Sequence, residues 1–146
     1  MSEQRDQILV GDGDPDLDQR LSDELDAVNA AATTGTPAAR ELTVQQHDAD
    51  GLVGGLSGWT WGVAAGIGMT WVRADRRGDG TGSRLLAAFE DEARARGCTH
   101  VFTTSFTFQA PGFYERHGYV ELFRWQDLPV VGEADVHLRK ELTPQD

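Results

Sequence analysis

Lysine is almost missing from this sequence: Lys140 is the only one in 146 residues. Lysine and arginine together number 13 against 24 aspartates and glutamates, a formal net charge of -11. A chain so poor in cations is badly matched to phosphate backbones, so no nucleic-acid partner is expected. Cysteine is equally scarce. Cys98 stands alone, so no internal disulfide can form and a reducing cytoplasm is the expected compartment. At a helix-to-strand join it reads as a small core residue. No apolar run approaches the roughly 18 residues of a membrane span. The N-terminal stretch MSEQRDQILVGDGDPDLDQ has neither the basic start nor the apolar centre of a leader. With 39% hydrophobic residues, four Trp and six Phe, the chain reads as a folded globule, most simply one domain spanning 1–146.

Periodicity then orders the elements. Ile8-Leu9-Val10 could form a short edge strand. Asp14-Pro15 starts a helix, with Asp as N-cap and Pro in the first turn, and Leu17, Leu21, Leu25 and Val28 set one apolar stripe on it. The alternating acids in DGDPDLD do not make a calcium loop, because the sixth position, which requires Gly, holds Leu17; no metal is expected. Leu42, Val44 and Gln46 alternate into an Asp50-Gly51 turn, and a return strand runs through GLSGWTWG, with Gly62 and Gly66 bracketing a second turn. IGMTWVR is a further strand. GSRLLAAFEDEARARG is a helix with Leu85, Leu86, Phe89 and Ala93 inward and Gly97 as its stop. THVFTTSF is a strand, QAPGFYERHG a short helix, and YVELFRW and ADVHLRKEL two closing strands. The order β-α-β-β-β-α-β-α-β-β predicts an α/β fold with a mixed sheet.

Against this scarcity of cations, RRGDGTGSRLL (Arg76 to Leu86) places three arginines and three glycines in eleven residues. It joins a strand to a helix, where unpaired N–H groups and the helix dipole favour an anion and glycines let backbone approach it. It is not a P-loop, which needs a lysine. It is not a dinucleotide fingerprint, since the third glycine position falls on Ser83 or Leu85. The residues that stand out are Arg77-x-x-Gly80-x-Gly82. Arg73 and Arg76 also have a plain reading as a solvated charged face.

Arg77-x-x-Gly80-x-Gly82 between strand and helix resembles the coenzyme A pyrophosphate loop of the GNAT acyltransferases. The later segment SFTFQAPGFYERHGY resembles the family's strand, short helix and Gly-Tyr, and is most similar to a small bacterial group sharing Ser-Phe-x-Phe-Gln-Ala-Pro-x-Phe-Tyr. The resemblance covers residues 40–142. It implies a mostly antiparallel central sheet flanked by helices, and acetyl-CoA as cosubstrate. It also implies that the backbone of Trp71, Val72 and Arg73 pairs with the pantetheine arm. The run Arg77, Gly78, Gly80, Thr81, Gly82, Ser83 and Arg84 would wrap the pyrophosphate, and Tyr114 would stand at the general-acid position. Read without the family, Tyr114 is equally a core aromatic beside Phe113.

The implied chemistry is direct attack of an amine on the thioester in a ternary complex. The acceptor is expected to be a small-molecule amine before a protein, with neither membrane nor nucleic acid as partner and a homodimer among the readings of Trp59 and Trp61. Those two, at i and i+2, could otherwise be a substrate wall or core. Relatives carry an acid on the strand before the loop or at the end of the next, where Gly68 and Thr104 stand here. His47, His100, His117 and His137 are the remaining bases to weigh, and each has a structural reading; His117, in the last turn of its helix, is a cation that suits the helix dipole. The second function class is a non-catalytic acyl-CoA-binding module with a degenerate acceptor side.

Overall fold

The computed structural model describes residues 6–144. Met1–Arg5, the start of the polar N-terminal stretch read above, lie outside the described residues, as do Gln145 and Asp146. The chain forms two compact units, residues 1–38 and 39–146.

The first unit holds helix α1 (Pro15–Ala32). Its start follows the sequence rule: the Asp14 carboxylate accepts the N–H groups of Asp16 and Leu17 at 3.0 and 3.1 Å. Among the described residues of this unit nothing covers the Leu17–Leu21–Leu25–Val28 stripe, whose members are each at least half exposed. Ile8–Val10 is not a strand, contrary to expectation. Three β-prone residues followed by Gly11-Asp12-Gly13 have no strand among the described residues of their own unit to pair with.

The second unit is built on six strands: β1 (Arg40–Asp48), β2 (Gly51–Trp61), β3 (Ala64–Val72), β4 (His100–Phe106), β5 (Val120–Gln126) and β6 (Ala134–Glu141). They lie in the order β1-β2-β3-β4-β6-β5, and every neighbouring pair is antiparallel except β3–β4. Helix α2 (Thr81–Ala95) is the crossover between the parallel pair, and the short α3 (Pro111–Arg116) follows β4. The β2–β3 turn is tighter than expected. Trp61 pairs with Ala64 across Gly62-Val63, and Gly66 lies inside β3 under the Trp59 ring instead of in the turn.

One face of the sheet carries the core. Leu42, Leu56, Ala65, Ile67, Val101, Val136 and Leu138 pack with Leu85, Leu86, Phe89 and Ala93, the α2 face expected from its spacing. Cys98 joins them, its thiol pushed up in pKa mainly by burial, which suits a packing role. Tyr114 and Tyr119 complete this cluster.

Inside it sits one charged group. Glu90 of α2 is 6% exposed and accepts from Lys140 of β6 at 2.9 Å and from the Tyr119 hydroxyl at 3.2 Å. Burial, then the adjacent Glu90 carboxylate, drives the Tyr119 phenol well above its ordinary pKa. The sole lysine therefore neutralises a buried carboxylate and ties α2 to β6. Removing one member of such a pair leaves an uncompensated charge, at a cost of about 3 kcal/mol. Lys140→Met should lower unfolding stability by about that amount in urea titration. The double variant Glu90→Gln/Lys140→Met should recover most of it.

Candidate active site: the glycine loop and the gap between β3 and β4

The parallel pairing of β3 with β4 is short. Ala64 to Ile67 match His100 to Thr103, and beyond them the strands share no ladder. The buried Thr103 hydroxyl donates to the Ile67 carbonyl at 3.2 Å, closing the ladder at its last rung. Divergence begins at an irregularity: in the β2–β3 register Gly58 faces Ile67 and Ser57 faces Met69, so Gly68 is an extra residue, a bulge. Gly68 is thus a bend that directs β3 away from β4. From Gly68 to Val72 one edge of β3 faces an open gap.

The orientation of that edge follows from one bond. Arg73 N–H donates to Val53 O on β2 at 2.7 Å. Backbone groups alternate along a strand, so the Val72 N–H and C=O point the other way, into the gap. The Val72 carbonyl is taken by the Arg77 Nε at 2.9 Å, which leaves the Val72 N–H for a ligand. Trp71 is half exposed on the same length of strand.

The glycine loop lies at the mouth of the gap. After a single 3-10 turn at Ala74–Arg76, Gly78 and Gly80 adopt φ of 84° and 87°, the left-handed region where any other residue is strained. Asp79 between them ties the turn together: Oδ1 accepts the Thr81 hydroxyl at 2.6 Å and its N–H at 3.0 Å, and Oδ2 accepts Arg76 Nε at 2.8 Å. These bonds, the Thr81 hydroxyl first, hold the Asp79 carboxyl far below the usual carboxylate range. Gly82 packs under Phe113, where an added Cβ would come within 3.2 Å of the ring. Among the described residues, the N–H groups of Gly82 and Ser83 have no acceptor in the chain, as positions N2 and N3 of a helix allow.

The four arginines divide into two kinds. Arg73 bonds to Asp48 at 2.7 Å and Asp75 at 2.6 Å, and Arg76 to Asp79 at 2.8 Å and Asp48 at 3.3 Å. Their charge is spent within the protein, in ion pairs and not on a solvated face. Arg77 bonds to the Val72 carbonyl, and Arg84 to the Asp79 carbonyl and the Thr81 hydroxyl, at 3.2 and 3.1 Å. Among the described residues, neutral acceptors leave both charges uncompensated, beside free amides at a helix N-terminus.

Across the gap stands Tyr114. Its ring is buried against Phe113 and Tyr119, with centroids 5.2 and 5.5 Å away, and its hydroxyl lies 2.9 Å from the Thr70 hydroxyl on the diverging part of β3. The two readings of this residue are compatible: the ring is core and the hydroxyl is at the gap. The SFTFQAP motif explains how α3 gets there. The Ser105 hydroxyl accepts the Ala110 N–H at 3.2 Å and the Gln109 side chain accepts the Phe106 N–H at 2.9 Å, folding β4 into α3.

His117 was expected to complement the end of α3, and the structure adds a second contact. Its Nδ1 lies 2.7 Å from the Phe113 carbonyl, which can only accept, so in the neutral ring Nε2 accepts the Ser83 hydroxyl at 2.8 Å. The helix carrying Tyr114 is thereby tied to the first turn of the glycine-loop helix. The other histidines lie elsewhere: His47 bonds to Gln45, His100 to Thr99, and His137 pairs with Asp135. Trp59 meets Phe102 edge-on with centroids 5.4 Å apart, beside the Gly66–Phe102 rung, the one before the ladder stops.

A forked parallel pair with a glycine loop at its mouth is the architecture of the acyl-CoA N-acyltransferases. Residues 39–121 match the acetyltransferase (GNAT) domain family, and the chain belongs to it as an acetyltransferase. It is 41% identical over 110 residues to blasticidin-S acetyltransferase of Streptomyces morookaense, covering 69% of this chain and 79% of that one. An acetyltransferase of Bacillus cereus superposes with a TM-score of 0.79 at 28% identity, over 92% and 98% of the two chains. An aminoglycoside 6'-N-acetyltransferase solved with coenzyme A shares the fold at 20% identity and a TM-score of 0.64, over 91% and 94%. No helix among the described residues is long and apolar enough to cross a membrane.

Two outcomes follow from this geometry. His117→Ala frees the Ser83 hydroxyl and loosens α3 from α2, so the affinity for acetyl-CoA measured by calorimetry should drop about fivefold, the worth of one hydrogen bond. Asp48 is lowered from 3.8 to about 2, first by its hydrogen bond from Arg73. A depressed carboxylate stabilises fully above its unfolded value and loses that contribution as pH falls towards about 2. Asp48→Asn should therefore lower the thermal midpoint at pH 6, and the difference from the native chain should vanish near pH 2.

Proposed function

We propose that the protein transfers the acetyl group of acetyl-CoA to a primary amine on a small molecule, by direct attack in a ternary complex, in the cytoplasm. One observation carries the reading. Two free amides and two uncompensated arginines surround the mouth of a gap whose wall presents a strand N–H and a tyrosine hydroxyl. The pyrophosphate lies on the Gly82 and Ser83 N–H groups, flanked by Arg77 and Arg84, with Gly78, Gly80 and Thr81 shaping the turn. The pantetheine arm runs along the edge of β3 from Trp71 to Val72; Arg73, also expected to pair with it, gives its N–H to Val53 instead.

From there the chemistry needs little. Holding both reactants in one gap supplies proximity. The Val72 N–H polarises the thioester carbonyl as negative charge grows on its oxygen. The Tyr114 hydroxyl meets the departing sulfur and gives it a proton. Gly68 and Thr104 bring no acid, so the amine loses its proton to water, or arrives with a pKa low enough to be neutral. The name of the relative from Streptomyces supports an antibiotic-like amine as acceptor.

Tyr114→Phe should lower turnover about 100-fold while leaving acetyl-CoA affinity within about twofold, read by thiol release and by calorimetry. Equal losses in both would return Tyr114 to packing. The panel of acceptors is blasticidin S, an aminoglycoside and a polyamine. A second reading, a non-catalytic acyl-CoA-binding module, is favoured by the missing acids at Gly68 and Thr104. Binding of acetyl-CoA without turnover of any amine on the panel would select it.

A further inference from the structure

On β6 the side chains of Asp135, His137 and Arg139 alternate with the core residues Val136 and Leu138, so they project from the sheet face opposite the core. Residues paired across strands share a face. Asp135 therefore stands between Phe106 of β4 and Trp125 of β5, and His137 between Thr104 and Phe123. Phe106 stacks on Phe108 at 5.3 Å, and Phe123 stacks on the His137 ring at 4.4 Å and meets Trp125 edge-on at 5.7 Å.

Within this aromatic setting the Asp135 carboxylate is half used. Oδ2 lies 3.1 Å from His137 Nε2. Oδ1 is buried and, among the described residues, has no hydrogen-bond partner, although the side chain as a whole keeps 15% of its surface. A buried acceptor in that state is destabilising and calls for a donor. A small inorganic cation would need several more oxygen ligands, and no cluster of metal-ligating side chains is present among the described residues. An anionic oxygen between aromatic rings suits an organic cation, whose N–H donates to the carboxylate while its charge lies against the rings.

The place of this niche gives it a use. Thr104 and Phe106 belong to the length of β4 that has parted from β3, so Asp135 lies one strand away from the gap. We propose that Asp135, flanked by Phe106 and Trp125 and oriented by His137, binds a cationic group of the acceptor, an alkylammonium or guanidinium separate from the amine that is acetylated. This assignment rests on the gap being the acyl-transfer site, and it makes Asp135 a specificity residue for doubly charged acceptors.

The test uses the full chain and three simple probes read by tryptophan fluorescence: butylguanidine, butylammonium and the neutral isostere butylurea. At least one cation should bind with an affinity at least about tenfold above butylurea, and the stronger of the two identifies the group recognised. Asp135→Asn should erase that preference, Asp135→Glu should keep part of it, and acetyl-CoA affinity should be unchanged in both, which also shows that the variants fold. Equal binding of all three probes, or a cation preference that survives Asp135→Asn, overturns the proposal. If the cation preference depends on Asp135 but acetyl-CoA does not bind, the niche stands and the acyl-transfer reading falls.

Discussion

The organisation of this protein depends on a ladder that stops. β3 and β4 are paired for four rungs and then part, although both strands continue. Two features set the stopping point: the bulge at Gly68, which bends β3, and the Thr103 hydroxyl, which caps the Ile67 carbonyl where the next rung would begin. An unpaired strand edge inside a sheet is costly unless something satisfies its N–H and C=O groups. Here the chain itself supplies one partner, the Arg77 guanidinium on the Val72 carbonyl, and the proposed ligand arm would supply the other at the Val72 N–H. The gap, the loop at its mouth and the tyrosine beyond it all take their positions from that divergence.

Charge is distributed to the same end. A chain of net charge -11 repels anions over most of its surface. It nevertheless places four arginines around one loop, and the acids near them are not spread evenly. Asp48, Asp75 and Asp79 neutralise Arg73 and Arg76 and hold the turn rigid, while Arg77 and Arg84 meet only neutral oxygens. One short segment thus holds two arginines that rigidify the turn and two that we propose to meet the anion. The link from His117 to Ser83 adds a third element, because the helix that carries Tyr114 is fastened to the turn that would receive the pyrophosphate.

Much of this was legible in the sequence wherever the cause is local. The N-cap of α1, the inward face of α2, the glycine loop and the Pro-initiated α3 all follow from spacings within a dozen residues. Features that depend on distant partners were not legible. Ile8–Val10 has strand propensity, but among the described residues no strand lies in its own unit to pair with. Gly66 looked like a turn glycine, and its actual constraint is the Trp59 ring lying over it. Gly68 looked like a lost acid until the register showed a bulge. His117 read as a complement to a helix end; its contact with Ser83 spans 34 residues. Asp135 and His137 sit on one short strand, but the aromatic walls around them come from β4 and β5, which no local pattern ties together.

The central claim is that the helix N-terminus after Arg77 receives the pyrophosphate of acetyl-CoA. Amide resonances report on it directly. Titration of the isotope-labelled protein with acetyl-CoA, followed by hydrogen exchange, should shift the Gly82 and Ser83 N–H signals most and slow their exchange, with a matching effect at Val72. If acetyl-CoA leaves those three amides unshifted and their exchange unchanged, the loop is only a strand-to-helix turn and the account is contradicted.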